Sequence, residues 1–472
     1  MINAAPRTGT ADPRTRAPLA NFLTLLAYEM TATLSASVQR KVIRRIVPIL
    51  MLMYTMAYLD RINIGTAALR MNAELGISQQ VFGLAAGLFF IGYLLLEIPS
   101  NIILHKIGAR VWLTRIMVTW GLISACTAFV QNGWQLVAVR MLLGFAEAGL
   151  FPGLIYCLAL WFPPSMRGRM LVILVLPWAV IVGTPMSAAI VQYADGLMGF
   201  SGWRIMLFVE GLLPVLLGFY SARYLTSKPE EADWLTSDEK REVIAARESD
   251  GVAAPGQVEK PLRATLLQPH LVLLSLAYAT AQMGFYASLI FTPQIVQEFG
   301  RLFGTTLSTV QVGLLSAIPS IIGMTLYWFW VAHSDKTNER VWHAIASFIT
   351  AAVGIAILVS VRNLSASILG LSLLTAGLVS GPICIWQLTA IGVRGKTAAV
   401  VFAYVNSFGI VGSMFSPYFI GYLKDRTGSY DAGLLVLAIA ALLGAALVFV
   451  ASLLMRRTGL LRASDKALAP SL

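Results

Sequence analysis

Charged residues are scarce in this chain of 472 residues: Asp, Glu, Lys and Arg make up 12% of it, against 57% hydrophobic residues. An ordinary globular domain contains about 25% charged residues. A soluble core of this length would have too little polar surface to cover it. The mean hydropathy of +0.74 and apolar runs that recur at membrane-spanning length predict an integral membrane protein.

Cysteine and histidine are also rare, which excludes several kinds of chemistry. The three cysteines, Cys126, Cys157 and Cys384, lie far apart in apolar segments and lack metal-ligand spacing. We therefore predict that they are small residues packed in the protein core. The four histidines form no zinc or nucleophile–base pattern, and no Walker-type glycine loop is present. We therefore expect that the protein is not an enzyme, that it binds no metal or cofactor, and that it does not use ATP to drive transport.

The chain has a net charge of +12, which in a membrane protein reflects basic loops rather than nucleic-acid binding. We expect basic inner segments at Arg40, Lys41, Arg44, Arg45, Lys106, Arg110, Arg167, Arg169, Lys228, Lys240, Arg241, Arg247, Lys336, Arg340, Arg394, Lys396, Arg456 and Arg457. The outer loops contain Arg70, Arg301, Arg362, Lys424 and Arg426. This asymmetry predicts an inner (plasma) membrane protein with both termini cytoplasmic. We also expect the protein to be a monomer.

Twelve apolar segments are long enough to cross a bilayer core of about 30 Å as helices. They lie at 46–69, 81–104, 111–130, 134–161, 170–194, 203–226, 269–295, 309–332, 343–361, 365–390, 397–423 and 432–455. The polar segment 227–268 is the predicted central loop, and Thr236 with Glu239 predicts a capping box at the start of a surface helix in it. The residues outside the spans form a partly disordered tail, 1–45, and a second tail, 456–472.

An internal repeat relates the two halves, 46–226 and 269–455. At an offset of 230, "HKIGARVW" aligns with "DKTNERVW", so that Lys106, Arg110 and Trp112 match Lys336, Arg340 and Trp342. Pro152 matches Pro382, and Tyr156 matches Trp386. The sequence therefore predicts an all-α membrane protein of two pseudo-symmetric six-helix bundles, with a site between them near the midplane.

Charges inside the predicted spans are confined to the first half. Leaving aside Arg204 and Arg223 near the ends of the span 203–226, they are Asp60, Arg61, Glu97, Arg115, Arg140, Glu147 and Glu210. Each costs about 2.5 to 3.5 kcal/mol on insertion scales, so we expect these side chains to pair or to face water. Arg140 and Glu147 are seven residues apart and share one helical face, as do Tyr58 and Arg61.

A purely structural reading of these charges is that they brace loops near helix ends. We favour that reading for Glu97, Arg115 and Glu210, which lie close to predicted helix ends. Arg140 and Glu147 lie well inside their helix, and we favour a functional role for them.

The motifs "YLDRINIG", "EIPSNIILHKIGAR", "RIMVTWG", "RMLLGFAEAGLFPG" and "KPEEADWL" resemble the anion:cation symporter family of the major facilitator superfamily. That family includes bacterial tartrate, phthalate, hydroxyphenylacetate and sugar-acid permeases and is related to sialin and the vesicular glutamate transporters. The resemblance covers nearly the whole chain from Arg40. It implies that Arg61 and Arg140 hold the substrate carboxylate and that Asp60 and Glu147 take up protons. The cavity residues that it implies are Tyr58, Tyr93, Trp386 and Asn406.

The chemistry of these residues is consistent with those roles. An organic anion in a low-dielectric cavity needs a cation, and arginine presents a planar fork that matches a carboxylate. A protein carboxylate beside that arginine competes with the anion, so its protonation couples proton and anion uptake.

We therefore predict a secondary transporter that takes up a small organic anion together with protons by alternating access. Tartrate-like dicarboxylates, aromatic acids and sugar acids all fit. An exchanger or metabolite exporter of the same fold is the alternative, less favoured because "LPWAVIVGTP" lacks a glycine-rich antiporter pattern. A non-transporting receptor would leave the buried acids and bases without a purpose.

Overall fold

The computed structural model describes residues 34–174, 179–248, 262–361, 363–391, 393 and 395–461. The predicted tails up to residue 33 and from residue 462 lie outside the described residues. So do 175–178 of the fifth span, 249–261 of the central loop, and the basic residues Arg362 and Arg394.

Within the described residues, twelve helices are long and apolar enough to cross a membrane, as predicted. They are α1 Ala36–Glu74, α2 Gln79–Ile107, α3 Ala109–Phe129, α4 Gly133–Trp161, α5 Pro164–Tyr193, α6 Gly202–Tyr224, α7 Pro269–Leu302, α8 Thr309–Thr337, α9 Val341–Ser360, α10 Leu364–Ala390, α11 Gly395–Thr427 and α12 Asp431–Arg457. We call the side where α1 begins and α12 ends the terminal side, and the other the opposite side.

The first helix begins at Ala36, before the apolar run that starts at residue 46. Its basic first turns carry apolar residues at helical spacing, and Val38, Val42 and Ile46 are buried in the core of the first half. Because one face of these turns packs, the helix continues beyond the apolar run.

The prediction of three core cysteines is wrong for Cys126, which is exposed, whereas Cys157 and Cys384 are buried. An apolar helix presents one face to the protein and another to the surface that lipid covers. Both faces accept small apolar side chains, so the apolar surroundings in the sequence do not separate the two positions.

The predicted surface helix is present at Ser237–Glu248, and we call it the connecting helix. Its capping box is confirmed: the Thr236 N–H donates to Glu239 Oε2 at 3.0 Å, and the Glu239 N–H donates to Thr236 Oγ1 at 3.3 Å. Lys41 Nζ lies 2.5 Å from Glu239 Oε1. The connecting helix is thereby tied to the start of α1.

The two halves repeat the same helix packing. In the first half α3 packs on α6, α2 on α4 and α1 on α6; in the second half α9 packs on α12, α8 on α10 and α7 on α12. The halves meet through α1 and α7, through α2 and α11, and through α5 and α8. This arrangement agrees with the predicted pair of pseudo-symmetric six-helix bundles.

The contacts between the halves are tightest toward the opposite side. A Cβ atom added at Gly83 of α2 would lie 2.1 Å from the Pro417 carbonyl oxygen of α11, and one at Gly313 of α8 would lie 2.4 Å from the Ala188 Cβ of α5. Small residues at these positions let the helix backbones approach closely. The halves are therefore closed against each other on this side.

Asp425 at the end of α11 also joins the halves on the opposite side. Its two carboxylate oxygens accept hydrogen bonds from the first backbone N–H groups of α2, from Gln79 at 3.0 Å and from Gln80 at 2.7 Å. A carboxylate at a helix N-terminus satisfies unpaired N–H groups and interacts favourably with the helix dipole. Ser78 caps the same helix from within the first half, accepting from the Val81 N–H at 3.2 Å.

We expect Asp425→Ala to loosen the closed opposite side, because a capping group contributes about 1 kcal/mol and this one spans two bundles. The measurement is the distribution of distances between spin labels placed at the exposed residues Met198 and Leu302, with Cys126 replaced by serine. The control, Ser78→Ala, removes a cap of the same helix without touching the contact between the halves. Equal distributions in the two variants would show that Asp425 does not hold the closure.

Candidate functional site

A break in α4 sets the position of Glu147. The helix runs as Gly133–Glu147 and Leu150–Trp161, and the second of the two residues between these pieces, Gly149, has a φ of +88°. A residue with a side chain rarely adopts this conformation. The carbonyl group of Ala148 at the break accepts a hydrogen bond from Ser100 Oγ at 2.7 Å. Glu147 therefore ends the first helical piece, at a place where the backbone is satisfied from α2.

Arg61 of α1 forms an ion pair with Glu147 of α4. The Glu147 side chain is 0% exposed and the Arg61 side chain 13% exposed. Three aromatic rings surround the guanidinium: its central carbon lies 5.3, 5.6 and 5.9 Å from the ring centroids of Tyr58, Phe89 and Tyr93. Pairing and aromatic contact reduce the cost of burying this cation.

A second ion pair lies behind the first. Arg140 Nη1 is 3.6 Å from Asp60 Oδ2, and their side chains are 4% and 7% exposed. Ser124 of α3 donates a hydrogen bond to the other carboxylate oxygen of Asp60. This pair is enclosed between α1, α3 and α4.

The Phe89 ring of α2 contacts both arginines. The guanidinium carbon of Arg140 lies 5.1 Å from its centroid, close to the corresponding 5.6 Å for Arg61. The close packing of α2 on α4 places the ring there, since a Cβ atom at Gly144 would lie 2.0 Å from the Phe89 carbonyl oxygen. One aromatic ring thus interacts with both buried cations.

A cavity of about 730 Å³ lies between the two halves, with Arg61 and Glu147 in its wall. From this ion pair it extends toward the terminal side, past Ile155, Trp328 and Phe402. The closed contacts at Gly83 and Gly313 lie at its other end. Arg61 Nε and Glu147 Oε2 are buried without a hydrogen-bond partner in the described structure, so the pair retains capacity for a further polar group.

The second half contributes an aromatic and amide wall to this cavity. The Trp386 ring lies edge-on to Tyr278 and to Phe402, with centroids 4.9 and 5.5 Å apart. The amides of Gln282 and Asn406 line the same wall. This side of the cavity therefore offers ring faces and neutral hydrogen-bonding groups.

Most of the residues predicted for the site meet in this cavity. Those that line it are Tyr58, Arg61, Tyr93, Glu147, Trp386 and Asn406. Asp60 and Arg140 are not among the lining residues; they form the second ion pair behind the wall. The sequence spacing places Arg140 near Glu147, yet each of these two side chains pairs with a residue of α1.

The cavity also contains residues to which the sequence patterns did not lead us, among them Tyr278, Gln282 and Tyr286 of α7. Their spacing at i, i+4 and i+8 is a signal that could have identified them, since polar and aromatic groups recur there on one face of an apolar helix. The predicted spans of the second half contain no charged residues that could indicate a cavity. Polar and aromatic residues on one face of a helix are therefore the signal to look for there.

The three charges assigned to a structural role lie in different surroundings. Glu210 accepts a hydrogen bond from Ser187 at 2.7 Å and so ties α6 to α5. Arg115 lies on Trp112, 3.9 Å from its ring centroid, at the terminal end of α3. Glu97 lines the cavity, a position that its predicted bracing role does not explain.

The comparisons with known proteins agree with this architecture. The family model described as Major Facilitator Superfamily matches residues 50–417. This chain belongs to the Major Facilitator Superfamily. Members of this superfamily are transporters, so the chain is a multi-pass membrane transporter and not an enzyme.

Two superfamily members illustrate the relationship. A protein of Agrobacterium vitis named "Putative tartrate transporter" is 39% identical over 425 residues, which is 90% of this chain and 96% of that protein. The Escherichia coli K12 "Inner membrane transport protein RhmT" is 32% identical over 422 residues, 89% of this chain and 96% of that protein.

The fold agrees with a solved structure of the superfamily. The bacterial homologue of the human lysosomal transporter Spinster, in an inward-facing and occupied conformation, superposes with a TM-score of 0.67. The match covers 86% of this chain and 96% of that one at 16% identity, so it supports the fold alone.

We expect double-mutant cycles to show strong coupling within each ion pair. Removing one member of a buried pair leaves an uncompensated charge and costs about 3 to 5 kcal/mol, and the second removal relieves much of that cost. The cycles use Arg61→Gln with Glu147→Gln, and Asp60→Asn with Arg140→Gln, with thermal unfolding of the purified protein as the readout. The crossed cycle Arg140→Gln with Glu147→Gln is the control. Stronger coupling in the crossed cycle would contradict the pairing described above.

Proposed function

We propose that this chain is a proton-coupled importer of a small organic anion in the anion:cation symporter branch of the superfamily. The observation that carries the proposal is the Arg61–Glu147 ion pair in the wall of a cavity between the two halves. The name of the Agrobacterium vitis relative supports a carboxylate substrate such as tartrate.

Arg61 would bind the substrate carboxylate. It is a cavity-lining cation with an unpartnered Nε–H, and arginine binds carboxylates through two parallel hydrogen bonds. Arg140 would not contact the substrate. It would compensate the charge of Asp60, from which it lies 3.6 Å away. Tyr58 and Tyr93 would hold the Arg61 side chain in position, and Trp386 and Asn406 would contact the rest of the substrate.

Glu147 would couple the anion to a proton. While it is ionised, its carboxylate occupies Arg61 and competes with the substrate for the guanidinium. Once it is protonated, the competing charge is lost and Arg61 is free for the anion, so proton binding and anion binding favour each other. Asp60 is the second candidate proton site, and the two carboxylates can titrate as one coupled set.

The orientation follows from the basic residues of the terminal side, including Arg40, Lys41, Lys106 and Arg110. Cytoplasmic loops of membrane proteins carry an excess of Lys and Arg, which supports a cytoplasmic location for this side and for both termini. The cavity extends toward this side and the opposite side is closed, so the conformation described here would release substrate inward. The name of RhmT supports the inner membrane as the location.

We expect Arg61→Ala to abolish saturable uptake, because the cavity wall loses its cation. Arg61→Lys should recover little activity, since lysine keeps the charge without the planar fork. Arg115→Ala is the matched control: it removes a guanidinium that stacks on Trp112 outside the cavity lining. Uptake of labelled tartrate, gluconate and benzoate into proteoliposomes under an imposed pH gradient is the measurement. Equal uptake by Arg61→Ala and the parent protein would refute the assignment.

We expect Glu147→Gln to uncouple transport, because a glutamine resembles the protonated carboxyl group and cannot release a proton. Counterflow exchange should persist, whereas accumulation driven by a pH gradient should be lost. Asp60→Asn is measured separately, and Glu97→Gln, which alters another acidic residue of the lining, is the control. If Glu147→Gln and Asp60→Asn both accumulate substrate as the parent does, the coupling mechanism is wrong. Proton-independent accumulation by the parent would instead favour an exchanger or exporter.

A further inference from the structure

The charges that line the cavity come from the first half. Among the described lining residues, the acidic and basic side chains are Arg61, Glu97 and Glu147, and Arg61 is the one cation. The lining contributed by α7, α8, α10 and α11 contains no acidic or basic residue within the described part of the chain.

Arg140, the other deep arginine, does not line the cavity. Its side chain is 4% exposed and is paired with Asp60, and both lie behind the cavity wall. The Asp60 carboxylate is held in turn by Ser124. A substrate that used Arg140 would have to displace a buried carboxylate that has its own hydrogen-bond donor.

The wall that faces Arg61 across the cavity is suited to an uncharged group. Trp386, Tyr278 and Phe402 present ring surfaces, whose faces are electrostatically negative, and Gln282 and Asn406 present neutral amides. A carboxylate placed against this wall would lose its hydration without gaining a cation, which is unfavourable.

We propose that the substrate of this site is a monocarboxylate: one carboxylate on Arg61, with an uncharged hydroxylated or ring-bearing body against the wall of the second half. This proposal rests on the proposed function and narrows its substrate class. It separates this chain from the dicarboxylate implied by the name of the Agrobacterium vitis relative.

Tartrate and threonate form a matched pair for the test, because threonate has the same four-carbon chain with one carboxylate replaced by a hydroxymethyl group. Benzoate adds a ring-bearing monocarboxylate. The measurement is protection of the purified parent protein against thermal unfolding as a function of acid concentration, without any pH gradient. We expect half-maximal protection by threonate or benzoate at a concentration about tenfold or more below that of tartrate.

Two variants identify the side chains that bind the acids. Arg61→Ala should lose protection by every acid, whereas Trp386→Ala should weaken protection by benzoate more than by threonate, since a ring-bearing body loses more contact with the wall. Arg115→Ala, outside the lining, should behave as the parent does.

Tartrate protection at a concentration equal to or below that of both monocarboxylates would overturn the proposal and indicate that Arg140 leaves Asp60 to bind a second carboxylate. Protection by neither monocarboxylate would overturn it as well. The proposed function is judged separately, by accumulation under a pH gradient. A parent protein that binds threonate or benzoate without accumulating it retains the monocarboxylate site and refutes proton-driven uptake.

Discussion

The cost of burying charge is the constraint on which this structure depends. Four of the ionisable side chains in the interior of the first half are arranged as two ion pairs, Arg61 with Glu147 and Arg140 with Asp60. In a membrane interior a lone charge is expensive and is tolerated when it is paired or reaches water. One pair reaches the cavity and the other does not. Among the described lining residues Arg61 is thereby the one cation in the cavity wall, and in the proposed mechanism an anion competes there with the protein carboxylate.

The backbone is shaped to hold these pairs. The left-handed turn at Gly149 ends the first piece of α4 at Glu147, and Ser100 satisfies the carbonyl group freed by the break. Close packing at Gly144 brings the Phe89 ring centroid to 5.6 Å from the Arg61 and 5.1 Å from the Arg140 guanidinium carbon. A non-helical backbone at this depth is acceptable because it is enclosed by protein. The ion pairs and the close packing of α1, α2 and α4 thus lie at the same place. A substitution in either ion pair is therefore expected to alter the packing of these helices.

The two halves share their helix packing but differ in chemistry. The pairs α3–α6 and α9–α12 correspond, as do α2–α4 and α8–α10, yet the described lining from the second half is aromatic and neutral. This asymmetry suits the proposed substrate, which has one charged end. The contacts that close the opposite side, through Gly83, Gly313 and Asp425, lie away from the ion pairs, so the halves can separate there without breaking the pairs within the first bundle.

The sequence by itself determined the membrane character, the twelve spans, the repeat and six candidate residues that line the cavity. Length, low charge and apolar runs are local properties that the bilayer converts directly into helices. Tertiary structure alone decided which carboxylate meets which arginine, since Glu147 and Arg140 share a helix but pair with neighbours on α1. It also decided that Arg61 and not Arg140 faces the cavity, and that Tyr278, Gln282 and Tyr286 line it. The exposure of Cys126 could not be read from its neighbours, because lipid-facing and buried surfaces have the same apolar composition. These features depend on how helices rotate against one another, which is set by packing between residues distant in sequence.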